Sequence, residues 1–246
     1  GRNYAASITA LMTGEAYAQS ARLASVTGPF SGFLSDKDAM MMIIQQHRDR
    51  VNHRETNWRD ADADLWDAAS RAWLQAERLG YTHGYRNAQV SLLMPAGTVG
   101  LMMGCGTTGV EPDVALVNYK ALVGGGTIKK VNEIVPQALQ RLGYNETTIH
   151  QAQEYIEAHG TLEGFQWIQE KHLPVFDCAF PTTPGGRSIH WRGHMLMVAA
   201  LQPFLSMGIS KTINMPHDAT VEDVEAAYLE AWHRGCKSIA IYRDGS

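Results

Sequence analysis

Residues that could do chemistry are concentrated between positions 87 and 112. Residues 87–94 alternate imperfectly between apolar and polar types, as in a largely buried strand. Pro95 has no N–H to donate and is expected to end this strand. Gly97 lets the backbone approach a ligand closely, and the Thr98 hydroxyl can cap a helical turn predicted over 99–103. Because unpaired N–H groups at a helix start attract anions, this turn is either a phosphate site or an ordinary strand-turn-helix corner.

A second candidate motif lies in the same segment. Residues 104–109 read Gly-Cys-Gly-Thr-Thr-Gly and match the G-x-G-x-x-G fingerprint of dinucleotide-binding proteins. That fingerprint requires a helix directly after the glycines, whereas Glu111, Pro112 and a predicted strand follow here. An NAD-dependent oxidoreductase is therefore an alternative function that rests on the glycine match alone. We expect Glu111 to fix the turn by accepting backbone N–H groups.

Four cysteine and histidine side chains have a functional and a structural explanation. Cys105 and Cys178 could be radical or redox cysteines, although free cysteines are more commonly buried and inert. His190 and His194 are four residues apart and could share a helix face. No acid or cysteine nearby in the sequence completes a metal site with them, so a capped helix start with exposed histidines is the simpler interpretation. No metal site is predicted.

Two further features could bind anions. Arg187 and Lys211 are plausible anion partners, but both could simply be solvated. The run 124–126 of three glycines precedes two lysines, yet it lacks the strand-loop-helix pattern of a P-loop. A hairpin turn is the favoured interpretation of these glycines.

Four stretches of the sequence, in this order, resemble one enzyme family. They read RNAQVSLLMPAGTVGLMMGCGTTGVEP (86–112), LVNYKALVGGGTIKK (116–130), QPFLSMGISKTINMP (202–216) and IAIYRDGS (239–246). The chain resembles the large subunits of ribonucleotide reductases, with the adenosylcobalamin-dependent (class II) branch as the best match. The resemblance implies that the first stretch contains the loop that holds the substrate phosphates. The candidate substrate-binding residues are Pro95, Ala96, Gly97, Thr98 and Val99.

The resemblance also implies a fold and a reaction. The fold would be α/β, the C-terminal portion of a ten-stranded α/β barrel with helices at the N-terminal end of the chain. The reaction would reduce ribonucleotides to 2′-deoxyribonucleotides through a thiyl radical generated by adenosylcobalamin. The family's catalytic cysteine lies in an Asn-x-Cys-x-Glu loop, and no asparagine here is followed two places later by cysteine. That loop is expected upstream of residue 1, so no catalytic residue is assigned and the chain alone is expected to be inactive.

Further expectations concern partners. The family implies a ribonucleotide substrate, deoxynucleotide or ATP effectors, a reducing partner such as thioredoxin, and allows a homodimer. A non-enzymatic nucleotide- or phosphate-binding module remains the alternative from a different class. An Asn-x-Cys-x-Glu loop in the preceding sequence would support the reductase, and its absence would favour the module.

Periodicity predicts the elements that must position the loop. Helices are expected over 4–26, 36–53, 62–79, 135–142, 146–158, 192–207 and 220–234, and strands over 87–94, 114–122, 127–131, 173–176, 209–214 and 238–242. In the first helix Ile8, Leu11, Met12 and Leu23 form the expected apolar stripe, and in the third Trp66, Ala69, Trp73 and Ala76. We expect one partial domain over 1–246, mainly helical in 1–84 and mixed in 85–246.

Composition narrows the class of protein. The 246 residues are 45% hydrophobic and 19% charged, which is typical of a globular protein with a sizeable core. The net charge of −4 gives no reason to expect nucleic-acid binding. No apolar run is long enough to cross a bilayer, so no membrane partner is expected. The three widely spaced cysteines fit neither a disulfide framework nor a zinc pattern, and a cytoplasmic location is expected.

Overall fold

A computed structural model describes residues 1–53, 63–121 and 127–245 of the chain. Its secondary structure is mixed and mostly helical. The helices are α1 (Arg2–Thr27), α2 (Lys37–Asn52), α3 (Ala63–His83), α4 (Gly97–Met102), α5 (Ile134–Arg141), α6 (Glu146–His159), α7 (Trp191–Leu201) and α8 (Val221–His233), with 3-10 helices over Glu170–Phe176 and Gln202–Phe204. The strands are β1 (Val117–Ala121), β2 (Thr127–Val131), β3 (Thr212–Met215) and β4 (Ala240–Arg243).

Contacts between residues within the chain divide the described residues into two compact units. The first contains residues 1–93, 195–211 and 221–240, and the second contains residues 94–194, 212–220 and 241–245. Both units therefore draw on distant parts of the sequence. The single partial domain over 1–246 stays a prediction.

In the first unit, α1 packs against α3 through small residues. Ala6, Ala10, Gly14 and Ala18 recur every fourth residue and are buried. The Trp73 indole N–H donates to the Ala10 carbonyl at 2.9 Å, a contact that only a close approach of the two helices allows. Small residues therefore make up most of the buried face of α1, and Tyr17 is the large side chain within it.

This packing corrects the expected α1 stripe. Ile8, Met12 and Leu23 are exposed and Leu11 is half-buried, so these four residues do not form the buried face. The tryptophans of α3 supply much of the volume between the helices, and Tyr17 is the large α1 side chain that packs there, at 5.9 Å from Trp73 between ring centroids. The expected stripe of α3 is confirmed, because Trp66, Ala69, Trp73 and Ala76 are all buried.

The second unit has its own core beneath a two-stranded antiparallel sheet. β1 and β2 pair in register from Val117 opposite Val131 to Ala121 opposite Thr127. The glycines expected to form the hairpin turn lie outside the described residues. Below the strands, α5 and α6 contribute buried apolar side chains that include Val135, Leu139 and Ile156. β3 and β4 form a separate two-stranded sheet.

Two expected strands are absent from the described structure. Residues 87–94 make only one isolated bridge, between Leu93 and Ile209. The Ser206 hydroxyl oxygen accepts the N–H groups of Val90 at 3.0 Å and Ser91 at 2.9 Å, so a side chain takes two donors that a strand ladder would use. The carbonyl groups of Ser91 and Leu93 accept the N–H groups of Met207 and Ser210. Residues 173–176, also expected to be a strand, belong to the 3-10 helix Glu170–Phe176, in which Pro174 lacks the N–H that a strand ladder needs.

Candidate functional site

Residues 95–99, here named the phosphate loop, lie where an extended segment enters α4. The helix begins at Gly97, two residues earlier than expected, so Thr98 lies inside its first turn rather than before it. The Gly100 N–H donates to the Ala96 carbonyl at 2.7 Å. The first N–H groups of any α-helix have no acceptor within the helix, and Pro95, Gly97, Thr98 and Val99 are exposed. The loop is therefore accessible, and the N–H groups after Pro95 together with the Thr98 hydroxyl can donate hydrogen bonds to an anion.

The phosphate loop is closed at its base by a tight turn. The Glu111 N–H donates to the Thr108 carbonyl at 3.1 Å, which defines a four-residue turn with Gly109 at its first central position. Gly109 has a φ of +59°, and a Cβ added there would lie 2.4 Å from the Met94 carbonyl oxygen. The turn thus rests directly on the backbone that leads into Pro95, and only glycine fits there.

The Glu111 carboxylate connects this turn to a strand. Its Oε1 accepts the Thr212 N–H at 2.7 Å, at the start of β3. The expectation that Glu111 accepts backbone N–H groups is confirmed, although the donor lies 101 positions along the chain rather than in the turn itself. The sequence carried only a weak signal for this pair, in that both residues fall in stretches with the same family resemblance.

A cavity of about 390 Å³ opens beside the base of the phosphate loop. Pro95, Thr108, Glu111, Thr212 and Asn214 are among the residues that line it. Its volume lies in the range of about 300–1,000 Å³ found for small-molecule sites. Sequence reasoning did not identify Thr212 or Asn214 as lining residues, because nothing local to β3 indicates a ligand.

Asp113 lies at the same cavity. Burial raises the pKa of its carboxyl group, and a hydrogen bond with Asn132 opposes that shift. Its carbonyl oxygen accepts the Ala179 N–H at 2.8 Å, which ties the cavity wall to the segment after Cys178.

The two candidate cysteines differ in their surroundings. Cys105 is exposed, and its N–H donates to the Gly100 carbonyl at 2.9 Å. Cys178 is buried, and burial together with the charges of Asp113 and Asp177 raises the pKa of its thiol to about 12. A thiol with so high a pKa is almost entirely protonated at neutral pH and is a poor nucleophile. Cys178 therefore fits the inert, buried interpretation.

Of the basic and histidine candidates, two have structural hydrogen bonds and two are buried. The Arg187 guanidinium donates two hydrogen bonds to Asp177, at 2.9 and 2.8 Å, and this pairing raises its pKa. His190 precedes α7, and its Nδ1 accepts the Arg192 N–H at 3.2 Å, as in a helix cap. His194 is buried within α7, so only one of the two histidines is exposed. Lys211 is buried rather than solvated.

The glycine fingerprint does not lead into a helix. After Gly109 the chain continues through the turn at Glu111 to β1 at Val117, whereas a dinucleotide site needs a helix N-terminus there.

Among the described residues, no group of three or more His, Cys, Asp or Glu could hold a metal ion. None of the described helices is long and apolar enough to span a membrane.

Comparison with known proteins gives the family. The sequence model described as the ribonucleotide reductase barrel domain matches residues 1–242. A vitamin B12-dependent ribonucleotide reductase of Rhodopirellula baltica is 48% identical over 245 residues, covering 100% of this chain and 23% of the relative. One of Streptantibioticus cattleyicolor is 48% identical over 244 residues, covering 99% of this chain and 40% of the relative. The chain therefore spans less than half of the length of each of these two relatives.

A solved structure agrees with this fold. The class Id ribonucleotide reductase alpha subunit of Actinobacillus ureae superposes with a TM-score of 0.54 at 18% identity, covering 82% of this chain and 38% of that subunit. The chain belongs to the ribonucleotide reductase family and is part of its barrel domain. The expected α/β barrel class is thereby confirmed.

Proposed function

We propose that this chain is the part of an adenosylcobalamin-dependent ribonucleotide reductase that holds the substrate phosphates. The observation that carries the proposal is the 48% identity, over the whole chain, to relatives named vitamin B12-dependent ribonucleotide reductases. The whole enzyme would reduce ribonucleotides to 2′-deoxyribonucleotides by a cobalamin-initiated thiyl radical mechanism. This chain would contribute binding rather than a reacting group.

Phosphate binding is assigned to the phosphate loop for three reasons. Four of its five residues are exposed, its first helical N–H groups have no acceptor within α4, and the Thr98 hydroxyl lies beside them. A Cβ added at Gly97 would meet nothing within 4 Å, so packing within the chain does not require a glycine there. Close approach of a phosphate to the backbone is a reason for glycine that packing does not supply. We assign hydrogen bonds to the N–H groups of Ala96, Gly97 and Val99 and to the Thr98 hydroxyl.

The cofactor is assigned to the whole enzyme and not to residues of this chain. A cobalamin with its nucleotide tail is larger than the drug-sized ligands that cavities of about 300–1,000 Å³ accommodate, and the cavity beside the phosphate loop measures about 390 Å³. The residues that line this cavity therefore do not fit a cobalamin. Deoxynucleotide or ATP effectors, a reducing partner such as thioredoxin, a homodimer and a cytoplasmic location complete the proposal for the whole enzyme.

The test is to assay the full-length gene product with ribonucleoside di- and triphosphates, adenosylcobalamin and a dithiol. We expect 2′-deoxynucleotide from the full-length protein and none from the 246-residue chain. Nucleotide binding without reduction by the full-length protein would favour a binding module instead. Product from the 246-residue chain alone would contradict the assigned role, because that chain would then contain the reacting groups.

A further inference from the structure

We propose that Glu111 is a positioning residue, which holds the phosphate loop in place through its hydrogen bond to the Thr212 N–H. This inference rests on the proposed function, since it concerns how the chain presents that loop to a substrate. Glu111 itself would not touch the phosphates. Its carboxylate would act through the turn that supports them.

The first step of the argument is the contact between the turn and the loop. Gly109 packs on the Met94 backbone so closely that an added Cβ would lie 2.4 Å from the carbonyl oxygen and 3.5 Å from the Pro95 Cα. A contact between two backbones cannot be relieved by changing a rotamer. Any displacement of the turn at 108–111 is therefore transmitted to Pro95, the first residue of the phosphate loop.

The second step is the attachment of the turn to the body of the unit. The Oε1 of Glu111 lies 2.7 Å from the Thr212 nitrogen, which is short for an N–H···O bond and typical of a charged acceptor. Thr212 begins β3, whose next three residues, Ile213, Asn214 and Met215, are buried. Buried strand residues are held on several sides, so this donor is a fixed point.

The third step is that the loop has little support of its own. Pro95, Gly97, Thr98 and Val99 are exposed, and nothing lies within 4 Å of an added Gly97 Cβ. At the far end of α4, the Cys105 N–H donates to the Gly100 carbonyl, which is a local contact. The position of the loop relative to the cavity therefore depends on its base, where Glu111 supplies a long-range hydrogen bond.

Three variants of the full-length enzyme distinguish the effect of side-chain length at position 111 from the effect of its charge. Glu111→Gln keeps an oxygen acceptor at the same distance without the charge. Glu111→Asp keeps the charge but is one methylene shorter, so it cannot reach the Thr212 N–H without moving the turn. Glu111→Ala removes the acceptor. Substrate affinity is measured by equilibrium binding of the nucleotide without cofactor, KM and kcat are measured in the reconstituted enzyme, and thermal unfolding monitors the fold.

We expect Glu111→Gln to bind within about threefold of the unchanged enzyme, and Glu111→Asp and Glu111→Ala to bind about tenfold or more weakly. KM should rise in parallel, and kcat at saturating nucleotide should change by less than about threefold, because binding energy can restore the loop position. If Glu111→Ala does not fold, the Glu111→Gln and Glu111→Asp variants alone test the positioning role.

The inference is overturned if Glu111→Asp and Glu111→Ala bind as tightly as the unchanged enzyme. It is also overturned if Glu111→Gln is as weak as Glu111→Asp, since the charge rather than the hydrogen bond would then matter. A Thr98→Val variant tested in parallel distinguishes the two proposals. Weaker binding by Thr98→Val with normal binding by Glu111→Asp would reject only the positioning role, and normal binding by both would reject the phosphate loop as well.

Discussion

Two glycines near the proposed phosphate site are needed for different reasons. At Gly109 a side chain would collide with the Met94 backbone, and the φ of +59° is itself unfavourable for other residues. At Gly97 a side chain would enter open space, and the backbone has no positive φ. The fold therefore explains Gly109, whereas the proposed phosphate contact would explain Gly97. Substitutions at Gly97 can consequently test binding without disturbing folding.

We predict that Thr98→Val weakens nucleotide binding by about tenfold in the full-length enzyme, the lower end of the about 1.5–3 kcal/mol expected for a hydrogen bond to a charged group. The effect should be modest because several backbone donors remain. Gly97→Val should weaken binding more, because its side chain occupies the space where the phosphate would lie. Isothermal calorimetry measures the affinities, and cobalamin cleavage is followed separately.

Two matched controls accompany these variants. Thr98→Ser keeps the hydroxyl and should bind normally. Gly32→Ala, where an added Cβ makes an ordinary 3.6 Å contact, should also bind normally, whereas Gly97→Ala should not. Unchanged affinity in Thr98→Val and Gly97→Val, with normal folding, would mean that residues 95–99 are only a structural corner.

A second prediction concerns the thiols. At pH 8, Cys105 should react with iodoacetamide quickly, because it is exposed, while Cys178 should react at least about a hundredfold more slowly, because it is buried and its pKa is raised to about 12. Peptide mass spectrometry over time measures both rates. A Cys105→Ser variant should lose the fast phase, and labelling of Cys178 in that phase would contradict the assignment of an inert thiol.

At the scale of elements, His47 connects α2 to two neighbours in the first unit. Its Nδ1–H donates to the Pro203 carbonyl at 2.7 Å, and its ring stacks on Trp73 at 5.0 Å between centroids. Burial lowers the pKa of this imidazole, the hydrogen bond to Pro203 opposes the shift, and the charge of Lys237 adds to it. His47 therefore lies at the junction of α2, α3 and the 3-10 helix Gln202–Phe204, where burial disfavours its charged form.

This shift predicts a pH dependence of stability. A folded-state pKa of His47 below the usual 6.5 means that the unfolded chain binds the proton more readily than the folded chain. The contribution of His47 to the free energy of unfolding is therefore fully present above about pH 6.5 and is lost as the pH falls. The free energy of unfolding is measured by urea denaturation between pH 7.5 and about pH 5. It should decrease less for His47→Gln than for the unchanged chain, because glutamine keeps a hydrogen-bond donor but does not titrate. His53→Gln is the control, because His53 is exposed. Equal pH slopes in the His47 variant and the unchanged chain would contradict the prediction.

At the scale of the whole molecule, the described surface of the 246-residue chain exposes large apolar side chains. On α8, Val221, Tyr228, Leu229 and Trp232 fall on one side of the helix by their spacing, and Val221 and Trp232 are 79% and 73% exposed. On α1, Tyr4, Ile8 and Met12 are also exposed. Contiguous apolar surface of this kind favours association.

We therefore predict that the 246-residue chain binds a hydrophobic dye or self-associates at micromolar concentration. Trp232→Gln together with Val221→Gln should reduce dye binding, because both changes remove exposed apolar area. Surface changes of this type alter stability by only about 0.5 kcal/mol, so folding should persist. Light scattering and dye fluorescence provide the measurement, and a monomer without dye binding would contradict the prediction.

Local chemistry by itself determined much of the secondary structure. The stripe of Trp66, Ala69, Trp73 and Ala76 predicted α3 and its buried face, and β2 was predicted over 127–131 with the bounds that the structure has. Asn145 precedes α6 and accepts the Thr148 N–H at 2.8 Å, a cap that fixes the start of that helix. These features depend on neighbours within a few residues, so the sequence carries them directly.

Sequence resemblance also identified the family and the candidate loop, because four stretches in the same order resemble ribonucleotide reductases. It did not determine which face of α1 is buried, since that depends on tryptophans of another helix. It predicted a strand over 87–94, where the Ser206 hydroxyl takes the backbone N–H groups of Val90 and Ser91 instead. Only the tertiary structure brought Glu111 to Thr212 and Gly109 onto Met94, because such contacts depend on how distant segments pack and local periodicity carries no record of that packing.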